Sequence, residues 1–473
     1  MRWGNTAPAG PATHAWAIKA GATDVSVFNK LIAFYSKSPS DALRLFAQIP
    51  SPDLVSWTSI ITAHASSPFS LSLFLSMLRR PLLPSQRTLA TLLNTCASLP
   101  SLHTGLQLHS LALKLSLSYL PFSGTALLHM YSKCRLPDDA RKVFDRIPHK
   151  DDVCYSAAIV GLAQNGRPEG AISVFAGMRL AGVGSNVYSV SGALRAAAEV
   201  ASLEQCRVLH AHAAVAGLEA NLVVGTALVD AYGKSGVVEE ARRAFDGLLP
   251  GANVVGWNAV ISAYALQGDS GSAVELFHQM LSHGVDADEL SFLAILTAFS
   301  NSGLVLEAEQ WLDSMNMKYG VQPGLEHYTC VVGAMARAGR ITDAENLINA
   351  MPFEPDDAVW RTLLSACAVH GAADVGMAVG CKLLGCYPRD DAAYVMLANI
   401  NAASGRWDEM AKVWRLMKDR RVRKEGGQSW LEVQGNVHTF LAGDRGHKRT
   451  AEIYAKLGEL MEEIANLGYR EAS

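Results

Sequence analysis

The sequence predicts an all-α fold: a right-handed α-α superhelical solenoid of helix-turn-helix repeats, followed by a small C-terminal extension made of a hairpin and a helix. The segment GTALLHMYSKCRLPDDARKVFD from Gly124 returns 101 residues later as GTALVDAYGKSGVVEEARRAFD from Gly225. Within each copy the apolar residues recur at helical spacing. Units of this kind stack and bury their apolar faces against their neighbours. The result is a long surface without a deep pocket, which favours binding over catalysis.

A single unit, Pro121–Asp151, shows why two helices are expected. Apolar residues recur at helical spacing from Ala126 to Tyr131. Pro137 then begins a second helix, where its missing N–H costs nothing, and the two aspartates after it favour the positive end of that helix. The second apolar stripe consists of Ala140, Val143, Phe144 and Ile147. We therefore predict a helix-turn-helix of 31 residues.

The units differ in length in a regular way. Successive units, aligned at the fifth residue of each predicted first helix, are 29, 32, 35, 31, 35, 35, 32, 35, 36 and 32 residues apart. Short, normal and long units therefore alternate, whereas a tetratricopeptide array keeps one spacing of about 34 residues. The aligned residues are Asn29, Thr58, Ala90, Thr125, Ser156, Ser191, Thr226, Asn258, Leu293, Thr329 and Arg361.

Composition narrows the functional classes. Apolar residues make up 49% and charged residues 18% of the chain, which is typical of an ordered protein. The net charge is only −3, so any binding of nucleic acid must depend on local basic groups. Every long apolar run is interrupted by charge, which argues against a membrane span. The eight scattered cysteines indicate buried thiols in a reducing compartment.

These motifs resemble the pentatricopeptide repeat (PPR) family, in particular the plant class that alternates P, L and S motifs. The S-type units read FNKLIAFYSK, GTALLHMYSKC and GTALVDAYGKSG. The P-type units carry WTSIITAHA, YSAAIVGLAQNG and WNAVISAYALQG, and the L-type units carry GLQLHSLALKL and CRVLHAHAAVAGL. The resemblance implies a partial L-type repeat over residues 1–24 and about ten repeats over 25–356. Because the array opens in the middle of a unit, we expect further repeats and a targeting signal before it.

The tail resembles the extensions of RNA-editing members of this family. Residues 357–425 form two further helical pairs similar to the E1 and E2 motifs, and residues 426–473 are similar to a PG box with an E+-like tail. GGQSWLEV from Gly426 departs from the usual PG box at Gly427 and Gln428. The following segment alternates apolar and polar residues around Gly435 and predicts a β-hairpin. A last amphipathic helix is expected to carry its apolar face from Ile453 to Leu467, with Gly468 as its C-cap.

Fuller relatives continue into a deaminase domain. Zinc deaminases bind the metal through His and two Cys and use a Glu for proton transfer, with an H-x-E…C-x-x-C signature. Neither half of that signature occurs in this sequence. The resemblance therefore implies a protein that is not an enzyme, holds no metal or cofactor, and depends on a deaminase-bearing protein and other editing cofactors in trans.

Base recognition in this family involves one residue of the first helix and the last residue of the motif, and RNA-binding repeats of this type read one base each. Amides, hydroxyls and carboxylates at these positions suit the edge of a base. The resemblance places them at Asn29 with Asp53, Thr58 with Ser85, Thr125 with Asp151, Ser156 with Asn186, Thr226 with Asn253, Asn258 with Asp288, and Thr329 with Asp356.

The family's pairing rules convert these residues into a footprint. Asn with Asp favours uracil, Thr with Asp favours guanine, and Thr or Ser with Asn favours adenine. Read in the family's parallel polarity, the footprint is 5′-U-?-n-G-A-n-A-U-n-(G)-3′. The unread positions n belong to L-type units, which carry Ala90, Ser191 and Leu293. The Thr58 and Ser85 pair fits no strong rule, so its base stays open.

Other interpretations of the same residues remain. Asp, Asn, Ser and Thr are also common helix caps. Cys206, His210 and His212 have metal-site spacing but look structural, and Trp57, Tyr155 and Trp257 are expected to pack between repeats rather than stack on bases. The chain is expected to bind single-stranded organellar RNA and no membrane, in the mitochondrion or alternatively in the chloroplast. An RNA-binding factor for splicing or transcript stability, and a tetratricopeptide-like protein scaffold, are the alternative functions.

Overall fold

The computed structural model describes residues 24–65, 67–424, 426–433, 436–441, 445–446 and 449–466. The described residues form twelve consecutive helical pairs, a two-stranded sheet and a final helix, which confirms the predicted fold class. The first helices of the pairs are α1 (Val25–Phe34), α3 (Leu54–Ala63), α5 (Gln86–Ser98), α7 (Pro121–Lys133), α9 (Asp152–Ala163), α11 (Val187–Glu199), α13 (Leu222–Lys234), α15 (Val254–Leu266), α17 (Glu289–Ser302), α19 (Leu325–Arg337), α21 (Asp357–His370) and α23 (Asp391–Ala403).

The second helices alternate with these along the chain. A short 3-10 turn, Tyr35–Lys37, follows α1. The predicted partial repeat over residues 1–24 lies outside the described residues apart from Asp24. The second helices are α2 (Pro39–Ala47), α4 (Phe69–Leu78), α6 (Leu102–Lys114), α8 (Pro137–Arg146), α10 (Pro168–Leu180), α12 (Leu203–Val215), α14 (Val238–Asp246), α16 (Ser270–Ser282), α18 (Val305–Tyr319), α20 (Ile341–Ala350), α22 (Ala373–Cys386) and α24 (Trp407–Asp419).

Local sequence sets the ends of these helices. Pro137 occupies the first turn of α8, as predicted, and Pro121 occupies the first turn of α7, because proline is preorganised for a helix start. Gly303 ends α17 in the left-handed conformation, with φ of 67°, where other residues are strained. The predicted apolar stripe of α8, from Ala140 to Ile147, is buried.

The chain divides into two compact units. The first comprises residues up to Gln267 together with Gly271–Asp286, and the second comprises Gly268–Ser270 and Ala287 onward. In the first unit each of the helices α1, α3, α5, α7, α9, α11, α13 and α15 packs beside the next of this series, and α17, α19, α21 and α23 do the same in the second. Each series is called a first-helix row below. Apart from α16 and α24, each second helix packs against its own first helix and the following one, and α24 packs against α23.

Aromatic contacts between successive pairs recur with the repeat. Phe46 packs edge-on against Trp57 at a ring distance of 4.8 Å, and Phe245 packs against Trp257 at 4.6 Å. Phe144 and Tyr155 form the equivalent contact at 5.3 Å. Trp57, Tyr155 and Trp257 are all buried. The prediction that these three aromatics pack between repeats is therefore confirmed.

A second repeated contact explains the histidine of the L-type units. His109 Nδ1 of α6 lies 2.7 Å from the Tyr131 hydroxyl of α7. The same bond returns 101 residues later, where His210 Nδ1 of α12 lies 2.8 Å from the Tyr232 hydroxyl of α13. Burial lowers the pKa of His109, and the nearby Arg146 lowers it further, so the neutral ring is favoured in the folded protein. These pairs join the first two L-type units to the S-type units that follow them.

The tail forms the predicted hairpin and helix. Strands β1 (Gln428–Val433) and β2 (Asn436–Leu441) pair antiparallel, with Gln428 opposite Leu441 and Val433 opposite Asn436. The last helix, α25 (Thr450–Asn466), ends before Leu467 and Gly468, and that part of the prediction lies outside the described residues. Across the part of the chain that the structure describes, none of the helices is both long and apolar enough to cross a membrane.

First helices approach closely where one carries glycine. A Cβ added to Gly233 of α13 would lie 2.6 Å from the Cβ and 3.1 Å from the Cα of Ala263 in α15. We expect Gly233→Ala to lower the free energy of unfolding by about 1–3 kcal/mol, because two neighbouring first helices must separate. Thermal and urea unfolding followed by circular dichroism measure this change.

Gly177→Ala is the matched control. Gly177 lies inside α10, and its added Cβ would meet nothing within 4 Å. Alanine there should stabilise the protein by about 0.5–1 kcal/mol through helix propensity. Equal free energies of unfolding for Gly233→Ala and Gly177→Ala would contradict the close approach of α13 and α15.

Candidate nucleic-acid interface

The second residue of every predicted reading pair is the N-cap of a first helix. Each side-chain oxygen accepts a hydrogen bond from a backbone N–H in the first turn of that helix, which supports the helix start. The cap also places the residue beside the fifth residue of the preceding first helix within a row. The capping residues, with the N–H donors in parentheses, are Asp53 (Ser56), Ser85 (Thr88), Asp151 (Cys154), Asn186 (Tyr188 and Ser189), Asn253 (Gly256), Asp288 (Ser291) and Asp356 (Val359).

Asn29 and Asp53 form a directly bonded pair. Asn29 Nδ2 donates to Asp53 Oδ1 at 3.2 Å. The Ser56 hydroxyl lies within hydrogen-bond distance of both residues, 2.7 Å from Asn29 Oδ1 and 2.8 Å from Asp53 Oδ1, and its single hydrogen is shared between these two acceptors. Burial tends to raise the pKa of the Asp53 carboxyl, but hydrogen bonds from Ser56, Asn29 and Val55 outweigh it and leave that pKa below its usual value. The pair therefore presents a fixed carboxylate and an oriented amide.

Ser156 and Asn186 are also directly bonded. Ser156 Oγ donates to Asn186 Oδ1 at 3.0 Å, and Asn186 Nδ2 donates to Asp152 Oδ2 at 2.9 Å. Ser156 is only 6% exposed. A base that contacts the Ser156 hydroxyl must therefore take the place of a hydrogen bond within the protein, whereas Asn186 is half-buried and easier to reach.

Two pairs are linked through the third residue of the next first helix. The hydroxyl of Thr88 shares hydrogen bonds with Thr58 at 2.8 Å and with Ser85 at 3.0 Å. The Thr125 side chain hydrogen-bonds the thiol of Cys154, whose backbone N–H donates to Asp151 at 2.8 Å. Burial raises the pKa of the Cys154 thiol to about 11, so it acts as a neutral group.

The fifth pair, Thr226 with Asn253, has glycine at this linking position. A Cβ on Gly256 would lie 3.5 Å from Thr226 Oγ1 and 3.8 Å from Asn253 Oδ1, so the two side chains flank one open space.

The last two predicted pairs are Asn258 with Asp288 and Thr329 with Asp356. Asn258 lies in the first unit at 8% exposure, and Asp288 caps α17 in the second unit. Thr329 Oγ1 donates to its own helix at Leu325 O, 2.9 Å away, while Asp356 caps α21.

A set of exposed apolar side chains accompanies the predicted reading residues. Each lies three residues before the fifth residue of its first helix and is 51–68% exposed. Apolar groups at helical spacing are normally buried. Because these side chains are exposed instead, they can contact flat apolar surfaces such as base faces. We call them the apolar contacts: Val55, Phe122, Val153, Tyr188, Val223, Val255 and Leu290. These residues were not predicted from the sequence, although an apolar residue recurs there in successive units outside the buried face of the helix.

Basic residues recur at the other end of the S-type first helices. Lys37, Lys133, Lys234 and Arg337 lie at or just after the last turn, one in each S-type unit, and all are exposed. Lys133 Nζ lies 3.4 Å from Gln164 Oε1 in the next first helix, and Arg337 donates to Ser300 Oγ at 2.9 Å. The positions of these cations suit ion pairs with the phosphates of a nucleic-acid strand that runs along the first-helix row.

The residues with metal-site spacing have other partners. His210 contacts Tyr232 through Nδ1 and Glu219 through Nε2, at 3.0 Å. His212 Nε2 lies 2.6 Å from Ser185 Oγ, and Cys206 is buried. Among the described residues, no group of three or more His, Cys, Asp or Glu side chains could hold a metal ion.

Comparisons with known proteins match this architecture. The model of the PPR repeat matches residues 125–151, 153–183, 226–249, 290–318 and 326–354, and a second model, described as the PPR repeat family, matches 252–301. The E motif matches residues 373–432 and the E+ motif matches 437–464.

Relatives in Arabidopsis thaliana cover nearly the whole chain. One pentatricopeptide repeat-containing protein is 36% identical over 96% of this chain and 46% of its own length. Another, named as chloroplastic, is 32% identical over 97% of this chain and 55% of its own length. A third, named as mitochondrial, is 33% identical over 93% of this chain and 70% of its own length. The chain thus spans about half the length of the first two relatives.

A solved structure supports the fold. The crystal structure of the pentatricopeptide repeat protein PPR10, a maize protein, in complex with an 18-nucleotide psaJ RNA element superposes with a TM-score of 0.65. The two sequences are 18% identical, and the match covers 86% of this chain and 62% of that one.

The Ser56 bridge gives a testable consequence for stability. Ser56→Ala removes the buried hydroxyl that joins Asn29 and Asp53 but leaves the backbone cap. We expect a loss of about 1 kcal/mol in the free energy of unfolding. Ser72→Ala, at an exposed serine of α4, should change it by less than about 0.5 kcal/mol. Equal effects of the two substitutions in urea unfolding would contradict the bridging role.

Proposed function

The chain belongs to the pentatricopeptide repeat family, and from this premise we propose that it binds one short single-stranded stretch of organellar RNA and thereby selects a cytidine for C-to-U editing. The observation that carries this proposal is the repeated combination along the first-helix rows. Five of the seven polar pairs have an exposed apolar side chain three residues before their first member, and every third unit adds a cation.

Each part of this combination suits one part of a nucleotide. The polar pair can donate to and accept from a base edge. The apolar contacts can cover base faces, and the cations can lie against phosphates. The low net charge of −3 makes such local basic groups the main electrostatic attraction for RNA.

The crystallised complex of PPR10 with RNA supports RNA as the ligand. A protein scaffold of the tetratricopeptide kind would need neither the repeated polar pairs nor exposed apolar groups in register with them. The proposed footprint is 5′-U-?-n-G-A-n-A-U-n-(G)-3′, with the edited cytidine a few nucleotides beyond it.

The E and E+ motif matches support editing over splicing or transcript protection, since these extensions resemble those of RNA-editing members. We further propose that a deaminase-bearing protein acts together with this chain and supplies the catalytic zinc and water in trans. We propose the mitochondrion as the site of action; relatives named for either organelle occur.

Base-by-base reading is tested with purified protein and two RNAs. One carries the footprint, and in the other the G-A and A-U steps are reversed. We expect the first to bind more tightly by about 1 kcal/mol or more per changed base. Thr125→Asn converts the pair with Asp151 into an Asn-Asp pair, so preference at the fourth nucleotide should change from G to U. Asn258→Thr should likewise change the eighth nucleotide from U to G.

Thr62→Asn is the matched control. Thr62 is exposed and lies one turn after Thr58 on the same helix, outside the predicted pairs. It should leave all preferences unchanged. Equal binding of both RNAs would contradict the pairing rules, and failure to bind any RNA would overturn RNA binding itself and favour a protein scaffold.

The apolar contacts should affect affinity without specificity. Phe122 is 54% exposed, and Arg87 lies over its ring at 5.3 Å. Phe122→Ser should weaken binding of every RNA by about 1–3 kcal/mol, because stacking does not depend on base identity. Leu180→Ser, at a 91% exposed residue of the second helix α10, should have no effect on RNA affinity. A change of base preference in Phe122→Ser would contradict this role.

A further inference from the structure

An arginine-aspartate ion pair occupies the reading positions of the first helical pair in the extension. Arg361 is the fifth residue of α21, the place held by Asn29 in α1. Asp390 is the N-cap of α23 and accepts from Ala393 N at 3.1 Å, as Asp53 caps α3. The first-helix row of the second unit therefore continues the geometry of the repeats into the extension.

The bonding within this pair follows the same direction as in the repeats. Arg361 Nε donates to Asp390 Oδ2 at 2.6 Å, as Asn29 Nδ2 donates to Asp53 Oδ1. Arg361 Nη2 also lies 2.9 Å from Asp357 Oδ2. The Asp390 side chain is 3% exposed, but that of Arg361 is 46% exposed. The buried carboxylate thus fixes a guanidinium that still faces outward.

A groove of about 600 Å³ opens beside this guanidinium. Its volume lies within the usual range of small-ligand sites, about 300–1,000 Å³, which includes a nucleotide. Arg361, Thr362, Ser365 and Val369 of α21 line it, together with Arg337 of α19 and Met396 of α23. The groove therefore combines apolar groups, hydroxyls and two guanidinium groups, of which that of Arg361 is held by the buried Asp390.

We propose that Arg361 reads one nucleotide beyond the repeat footprint and selects a base with two adjacent hydrogen-bond acceptors, guanine or cytosine. This inference rests on the proposed RNA binding and extends it to the specificity of the extension. Guanine offers O6 and N7, the pair that arginine contacts in a bidentate manner, and cytosine offers O2 and N3. Uracil places a donor beside each acceptor, and adenine places its amino group beside N1 and N7, so both bases fit less well.

A base is favoured over a phosphate as the ligand of this arginine. Two carboxylates, Asp357 and Asp390, face one guanidinium, so the group of three carries a net negative charge. A phosphate is therefore disfavoured at Arg361 itself, and Arg337, which lines the same groove, is the cation left for the RNA backbone. A guanidinium has five N–H donors, more than the two carboxylate contacts use, and these donors can serve a neutral base.

The test uses the full chain and RNAs that extend the footprint by three nucleotides at its 3′ end. Each of these three nucleotides is varied separately among G, C, A and U. The wild-type protein should favour G or C by about tenfold at one of these positions. Arg361→Lys keeps a cation beside Asp390 but loses the planar fork. It should reduce that preference to less than about twofold while the preferences within the footprint stay unchanged.

Arg406→Lys is the matched control, because Arg406 pairs with Asp374 at 2.8 Å outside the groove. It should keep the wild-type preference. A wild-type protein that binds the footprint but shows no preference beyond it would overturn the inference and leave RNA binding intact. Preference retained in Arg361→Lys would also overturn it and assign the pair to a structural contact between α21 and α23. Failure to bind the footprint at all would sink the proposed function and this inference with it.

Discussion

The side-by-side packing of first helices is the constraint on which the rest of the structure depends. It brings the N-terminus of each first helix next to the fifth residue of the one before it. The helices approach closely because small residues lie between them, as at Gly233 and Ala263. Every polar pair that the structure joins, from Asn29 and Asp53 to Arg361 and Asp390, depends on this spacing. The buried aromatics and the His-Tyr pairs stabilise this spacing of the first helices through contacts with the second helices.

Helix capping and the proposed base reading use the same side-chain oxygens. A capping oxygen accepts a backbone N–H, which stabilises the helix, and its remaining acceptor capacity can serve a base. Helix capping and the proposed base reading are therefore compatible, because both use one geometry. Burial of Ser156 and Asn258 adds a cost, since a base must replace hydrogen bonds that the folded protein already makes. In the proposed RNA complex, such exchange favours specificity over affinity, and contacts of the apolar residues with base faces would offset the cost.

Much of the fold followed from the sequence because it depends on local patterns. Proline at helix starts, the apolar stripe of α8 and the alternation around Gly435 predicted helices and strands that the structure contains. The burial of Trp257 followed from its recurrence in phase. These features involve neighbours in sequence or the period of the repeat, and both are visible in one chain.

The contacts that define the candidate interface were harder to predict. Ser56 bridges Asn29 and Asp53 across more than 20 residues, and the sequence contained no sign that one hydroxyl would serve both. The Arg361–Asp390 bond spans 29 residues and depends on how α21 and α23 pack. The exposure of Phe122 and its equivalents was missed because apolar residues on a helix are expected to be buried. Distances between units decide these features, and helical periodicity does not determine such distances.

Selection of RNA from a random single-stranded pool by the purified protein tests base-by-base reading most directly, because no target sequence is assumed. Reading along the first-helix rows predicts an enriched consensus in which fixed bases occur in pairs and every third position, opposite Ala90, Ser191 and Leu293, is unconstrained. Enrichment without this three-nucleotide period, or no enrichment of RNA at all, would contradict it.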